Sequence, residues 1–368
     1  MKRFAKLLFI IFIIIITSTI GIMAFIAFAP QFGQAPKGSH LEQIRQSPNY
    51  NKESDVFINQ ITTTLDMNIS KLGETLNEFI FSKNTKPPKP LPSVFENLHL
   101  QDSLPHITWF GHSAILLEID QYRILLDPML GPSASPISFF GRRFKNENKI
   151  PIDSIDNIDA ILISHDHYDH LDYPSIQKLK TVTKKFFVPL GVGAHLEKWG
   201  VDPDSIEELD WWDETTLNSL QLAFTPARHF SGRAISDRNK TIWGSWVIKG
   251  KSSKIYFSGD SGYGPHFEEI GNKYGPFDFA MMECGQYNQK WLDIHMMPDQ
   301  TIQATIDLKA GKMMPIHWGA FQLSVHTWDD PVIQAKKFAK NENLEFVTPV
   351  IGVRISLQES TTSWWEDL

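Results

Sequence analysis

Cysteine is almost absent. The 368-residue chain has one, Cys284, just beyond the apolar run Phe279–Met282. That excludes an intramolecular disulfide and a multi-cysteine zinc knuckle, and the residue reads as a small packed side chain. A surplus of positive charge is also missing. Lys+Arg is 35 against Asp+Glu 42, a net charge of −7, so there is no electrostatic footprint for nucleic acid. No serine elbow offers a protein nucleophile. Gly191-Val192-Gly193 lacks the third glycine of a dinucleotide fingerprint and reads as a turn into a helix. Internal repeats and low-complexity tracts are missing as well. With 42% hydrophobic and 21% charged residues, the composition fits neither a disordered polymer nor a fibre.

What is present in quantity is histidine, 13 residues in all, and one long apolar run. After Lys2, Arg3 and Lys6, the stretch from Leu7 to Ala29 carries no charge. At a rise of ~1.5 Å per residue it is long enough to cross a ~30 Å hydrocarbon core. The apolar stretch of a cleavable signal is usually about 7–15 residues long, and Pro30 directly after Ala29 is a poor cleavage context. An uncleaved transmembrane anchor over residues 1–30 is the expectation. The flanking cations predict a cytoplasmic N-terminus with the body on the extracytoplasmic side. No cysteine follows the run, which excludes a lipoprotein anchor.

Residues 31–99 read as three pieces. A polar, irregular stretch extends to about Ser54. Then Ile58, Ile61, Leu65, Ile69, Leu72, Leu76 and Phe79 recur at helical spacing, predicting a helix packed on the body or lying on the bilayer. Lys86-Pro87-Pro88-Lys89-Pro90-Leu91-Pro92 predicts a stiff linker. The main body is expected over 100–358. In the tail, 359–368, Trp364 and Trp365 either cover the fold or meet the membrane interface.

In the body, four predicted strands end in metal-capable side chains. Ile158–Ile163 runs into Ser164-His165-Asp166-His167-Tyr168-Asp169-His170, and Leu220–Thr225 into Pro226-Ala227-Arg228-His229. Lys254–Phe257 leads to Asp260, and Met313–Ile316 to His317. Three imidazoles and two carboxylates packed into residues 165–170 are too costly to bury without a cation. Residues two apart in an extended segment point the same way, so His165 and His167 can grip one ion, with His229 completing that site. Asp169, His170 and His317 can hold a second ion. Asp260 can bridge the two, since a carboxylate has two oxygens to share. Imidazole and carboxylate ligands without thiolate suit two Zn2+, with iron or manganese tolerated.

The stretch from His165 to His170 resembles the HxHxDH signature of the metallo-β-lactamase superfamily. Within it, several details resemble the N-acylphosphatidylethanolamine-hydrolysing phospholipase D branch. These are Ile107-Thr108-Trp109-Phe110-Gly111-His112-Ser113, Leu126-Asp127-Pro128, Pro226-Ala227-Arg228-His229, Gly244-Ser245-Trp246 and Pro315-Ile316-His317-Trp318-Gly319. The resemblance spans about 100 to 355 and implies an α/β, four-layer αββα sandwich with metals at one edge, here preceded by the transmembrane helix. It implies a phosphodiesterase acting on a phospholipid in the bilayer. The alternative is a metal-dependent hydrolase of a lactone, amide or other non-lipid substrate. Asp169 would also orient the attacking water, and His295 resembles an active-site histidine able to protonate the leaving group. His112, Trp318 and Arg142, the last paired with Arg143, are the expected substrate contacts. An apolar rim is expected from Trp109, Trp243, Trp246, Trp291 and Trp318.

Overall fold

Runs of β-branched and aromatic residues between turns build two seven-stranded sheets. The computed structural model describes residues 2–64, 69–96, 104–234 and 236–368. In chain order the strands are β1 His106–Trp109, β2 Ile115–Ile119, β3 Tyr122–Leu126, β4 Ile158–Leu162, β5 Thr183–Pro189 and β6 Ile206–Leu209. They continue with β7 Glu214–Leu217, β8 Leu220–Thr225, β9 Ser245–Lys249 and β10 Lys254–Phe257. Last come β11 Phe279–Glu283, β12 Lys312–Ile316, β13 Glu345–Phe346 and β14 Arg354–Ser356. One sheet has the order β14-β1-β2-β3-β4-β5-β6, the other β13-β12-β11-β10-β9-β8-β7. As the short connections predict, β1, β2 and β3 pair antiparallel.

Strand alternation explains the layering. Ile115, Leu117 and Ile119 of β2, with Ile124 and Leu126 of β3, face the other sheet, where Phe224, Trp246, Ile248 and Phe257 meet them. Leu116 and Leu125 point the opposite way, toward helices α1 (Tyr173–Leu179) and α2 (Gly193–Lys198). Behind the second sheet, Tyr256, Ala280 and Met282 pack against α3 (His266–Tyr274), α4 (Pro298–Asp307) and α5 (Asp330–Asn341). The result is helix, sheet, sheet, helix. Because both faces of these strands are covered, they read as unbroken apolar runs.

Strand direction then creates the functional edge. β3, β4 and β5 are parallel, as are β10, β11 and β12. β8 runs the same way as β10, because each is antiparallel to β9. Their C-terminal ends therefore emerge on one side of the sandwich, where open α/β sheets collect ligands. Gly191-Val192-Gly193 does lead into α2, and both glycine N–H groups donate to Glu208 Oε1 at 2.8 Å. An internal carboxylate fills the place a bound phosphate would need.

The N-terminal third departs from expectation in three respects. The apolar helix spans Lys2–Phe28, and Arg3–Phe28 is long and apolar enough to cross a membrane. The stretch after it is fastened to the body rather than loose. Trp199 Nε1 donates to the Pro30 carbonyl at 2.7 Å, and Arg233 Nη2 to that of Gln31 at 2.7 Å. The predicted 58–79 helix is shorter, a helix over Ile69–Phe81. Leu65 lies outside the described residues, and Ile58 and Ile61 sit in irregular chain held by side-chain bonds described below. On that helix Leu76, Ile80 and Phe81 are exposed. The proline-rich segment also runs along the body, with Leu91 buried and its N–H donating to the Lys145 carbonyl. Trp364 and Trp365 are buried and cover the fold.

Candidate metal centre

Each group at the edge is delivered by the turn that ends a strand. Gly259 lets the chain leave β10 at φ 56, and a Cβ there would lie 2.6 Å from the Ser164 side chain, so no larger residue fits. Three non-glycine residues at strand ends are also left-handed: His112 (φ 56), Asp127 (φ 40) and His317 (φ 67). Such backbone persists only where its surroundings over-determine it. For two of them the reason is a reciprocal pair of bonds between the sheets. The His112 N–H donates to the Trp318 carbonyl at 2.8 Å, and the His317 N–H to the His112 carbonyl at 3.1 Å.

The ring nitrogens converge in two adjoining clusters. In the first, His167 Nδ1 lies 2.9 Å from His165 Nε2 and 3.2 Å from His229 Nε2. His229 Nδ1 donates to the Ile294 carbonyl at 2.9 Å. Ser164 Oγ donates to Asp127 Oδ2 at 2.5 Å, which leaves it to accept from His165 Nδ1 at 2.9 Å. Both His165 and His229 therefore aim an Nε2 lone pair at one point. Burial pushes His165, His167 and His229 down, His167 to about 4, which keeps them in the neutral form that binds a cation.

In the second cluster, His170 Nε2 lies 3.1 Å from Asp260 Oδ2 and 3.5 Å from Asp169 Oδ2, and His317 Nδ1 lies 3.0 Å from Asp260 Oδ1. Asp260 Oδ2 is also 3.8 Å from His165 Nε2 and from His229 Nε2, so this carboxylate stands between the clusters. Burial opposes charge on His170, yet Asp260, Asp169 and Asp127 together raise it well above its ordinary value. Burial likewise opposes ionisation of Asp260, but His170 and His317 hold it well below the usual carboxylate range. The region favours positive charge. His170 Nε2 and Asp260 Oδ1 are buried, and although titratable neighbours lie 3.1 and 3.0 Å away, neither makes a well-directed hydrogen bond. Imidazole and carboxylate donors at these spacings, with lone pairs left unmatched, fit divalent cations.

Several supporting residues were given no role in the sequence reading. Asp127 Oδ2 accepts from His170 Nδ1 at 2.7 Å as well as from Ser164. Like the proposed ligands it closes a strand, and that placement was the available signal. Glu283, the last residue of β11, faces His295 Nδ1 at 2.5 Å and accepts from the Ser261 N–H at 2.8 Å. Burial, with Asp260 adding to it, raises its carboxyl well above the usual range. Asn59 is bonded both ways to the backbone of His229, at 2.8 and 3.1 Å, and Arg228 donates to the Thr62 carbonyl at 2.7 Å. Residues 58–64 thus form a strap over the rim of the site, which periodicity had assigned to a helix.

The expected substrate contacts fare unevenly. His295 is half-buried beside the clusters, its ring 5.1 Å from that of His229 and 5.2 Å from that of His317. It lines a cleft of about 310 Å³ with His167, Phe230, Trp291, Ile294 and Leu323. His112 is fully buried and meets Asp169 Oδ2 through Nε2 at 2.8 Å, so it holds another side chain in place rather than facing a substrate. Trp318 is also buried, packed among Trp109, Trp328, Trp364 and Trp365. Trp109, Trp243 and Trp246 are core as well, because all three lie on inward strand faces or the turns behind them. Of the five expected rim tryptophans, Trp291 alone lines the cleft. Arg142 is exposed, whereas Arg143 turns inward to donate to the carbonyls of Gly131, Phe110 and Met129. The two arginines do not form a pair.

Comparison with known proteins agrees with this geometry. The family described as a beta-lactamase superfamily domain matches residues 122–318. An uncharacterized protein of Mycobacterium tuberculosis is 39% identical over 317 residues, covering 84% of each chain. An N-acyl-phosphatidylethanolamine-hydrolyzing phospholipase D of Caenorhabditis elegans is 29% identical over 240 residues, covering 62% of this chain and 67% of that one. Among solved structures, a metallo hydrolase from Ignicoccus hospitalis superposes with a TM-score of 0.55 at 20% identity, covering 70% of this chain and 100% of the other.

Proposed function

This chain belongs to the β-lactamase superfamily and is a metal-dependent hydrolase; from that premise we propose that it is a membrane-anchored phosphodiesterase of phospholipase D type. Its substrate is an N-acylated phosphatidylethanolamine, cleaved to phosphatidic acid and an N-acylethanolamine. His165, His167 and His229 would hold one zinc ion and Asp169, His170 and His317 a second, with Asp260 shared between the two groups. Bound there, zinc would lower the pKa of water and offer a counter-charge for the phosphoryl oxygens.

The chain's own residues do the rest. Asp169, fixed by His112 at 2.8 Å, orients the water that adds to phosphorus. The bond from phosphorus to the ethanolamine oxygen breaks, and His295 hands that oxygen a proton, which the water gives back as it adds to phosphorus. Glu283, 2.5 Å from His295 Nδ1, positions the imidazole. Phe230, Trp291, Ile294 and Leu323 give acyl chains an apolar wall.

One observation carries the lipid reading. Phe32, just beyond the apolar helix, packs its ring 6.2 Å from that of Tyr168, inside the ligand stretch itself. The anchor and the metal edge are neighbours, so a substrate held in the bilayer lies within reach. The basic N-terminal flank orients the body to the extracytoplasmic side.

The test is turnover by the full chain in vesicles containing N-acylphosphatidylethanolamine. Release of N-acylethanolamine that chelation abolishes and zinc restores is expected, with none from His167→Ala. Zinc-loaded protein that leaves this lipid intact but opens a lactone would overturn the lipid substrate and leave the family assignment standing.

A further inference from the structure

The loop between β3 and β4 presents a feature that the hydrolytic reading does not use. Phe139 and Phe140 stand 68% and 60% exposed at its tip, their rings 4.8 Å apart. Side chains of this size are rarely left in water side by side without a partner. The loop is not loose. The Ala134 N–H donates to the Gly141 carbonyl at 2.9 Å, the Phe140 N–H to the Ile137 carbonyl at 3.0 Å, and Ser133 Oγ to the Phe140 carbonyl. Arg143 clamps the base from below.

Two contacts say what covers the aromatic pair. Gln31 Nε2, three residues past the apolar helix, donates to the Pro136 carbonyl at 2.8 Å, which ties this loop to the end of the anchor. On its other side Ala134 packs against the cluster of Met129, Ala320 and Phe321, as does Leu323, which lines the metal cleft. The loop therefore fills the space between the membrane-spanning helix and the mouth of the site. Beside the tip, Arg142, Lys145 and Lys149 line a basic cleft that suits lipid phosphates.

We propose that the loop 133–142 is a second membrane contact. Phe139 and Phe140 enter the acyl boundary beside the anchor, and Arg142 lies at headgroup height. A single helix, even with its end fastened to the body, leaves the whole chain free to rotate and tilt in the bilayer. A second contact fixes the rotation and holds the cleft toward the lipid surface. This inference rests on the reading of the N-terminal helix as an anchor, and the experiment separates the two.

The full chain, carrying Cys284→Ser, is prepared with one added cysteine at a time: Phe12→Cys in the helix, Phe139→Cys, Phe140→Cys, or Lys251→Cys in the β9–β10 turn at the opposite edge. Each is labelled with an environment-sensitive fluorophore and reconstituted into phosphatidylcholine–phosphatidylglycerol vesicles, with and without lipids bearing a nitroxide on the acyl chain. Blue-shifted, nitroxide-quenched emission at 12, 139 and 140, but not at 251, is expected. A lipid-like signal at 12 with a water-like one at 139 and 140 overturns the loop contact alone. Water-like emission at all four positions overturns the anchor with it. A second readout is kinetic. Phe139→Ser/Phe140→Ser should lower turnover of vesicle lipid about fivefold or more while leaving a water-soluble phosphodiester unaffected. Equal loss on both substrates would mean that the pair serves the fold and would overturn the proposal.

Discussion

The two clusters at the metal edge are built from the same kinds of residue, yet they differ in charge. The first is three neutral imidazoles whose other ring nitrogens, where assigned, are spent on a serine hydroxyl and a carbonyl. The second is rich in carboxylates, and these keep His170 charged against its burial. The first cluster is thus ready to receive a cation as it stands, whereas the second must give up a proton to do so. Asp260 belongs to both, and the charge of the whole edge turns on it.

Removing Asp260 is the severest way to challenge that picture. Asp260→Ala should lower the occupancy of both clusters and reduce turnover on the order of 10³-fold or more. Elemental analysis beside a steady-state assay checks this, and loss confined to one ion would break the bridging assignment. Asp127→Asn should separate the clusters. It weakens the partner of His170 and should lower metal affinity about 10- to 100-fold, chiefly in the second cluster. Titration of the stripped protein with zinc against a competing chelator would resolve the two affinities.

A smaller effect comes from outside both clusters. Burial, helped by Arg228, pushes His266 down to about 3, so the folded protein keeps it neutral. In the unfolded chain it takes up a proton below about 6.5. Stability should therefore fall as the pH drops from about 6.5 toward 3, by about 1.4 kcal/mol per pH unit from this residue. Urea unfolding at pH 7 and pH 5 should show a larger drop for the wild type than for His266→Gln. Smallest of all is Cys284→Ser. The thiol is buried and burial raises its pKa well above the ordinary value, so it takes no part in either cluster. Turnover and metal content should stay within about twofold, since the proposed water attack has no thiol step.

Much of this edge was legible in the sequence because its side chains follow strand ends, and strands are the strongest periodic signal in the body. Spacing alone grouped His165, His167, Asp169 and His170. The topology needed to bring His229, Asp260 and His317 to them could be expected but not demonstrated from one chain. What stayed hidden depends on contacts between distant segments. Asn59 fastens to His229, 170 residues further along the chain. Trp318 follows His317, a proposed ligand, yet its side chain is buried in the core beyond the left-handed turn at His317. Isoleucines at helical spacing misled at 58–64, where Asn59 and Thr62–Thr64 bond to the body and tertiary contacts override periodicity.

A pair of backbone bonds joins His112 to the His317 turn. One turn belongs to the first sheet and the other to the second, so the bonds rivet the two halves of the sandwich beside the two His/Asp clusters. Each cluster also draws side chains from both halves. Any thermal expansion that spreads the sheets must spread these clusters too. Metal release should then act as a gauge of the gap, reporting loosening before the helices on either flank begin to melt.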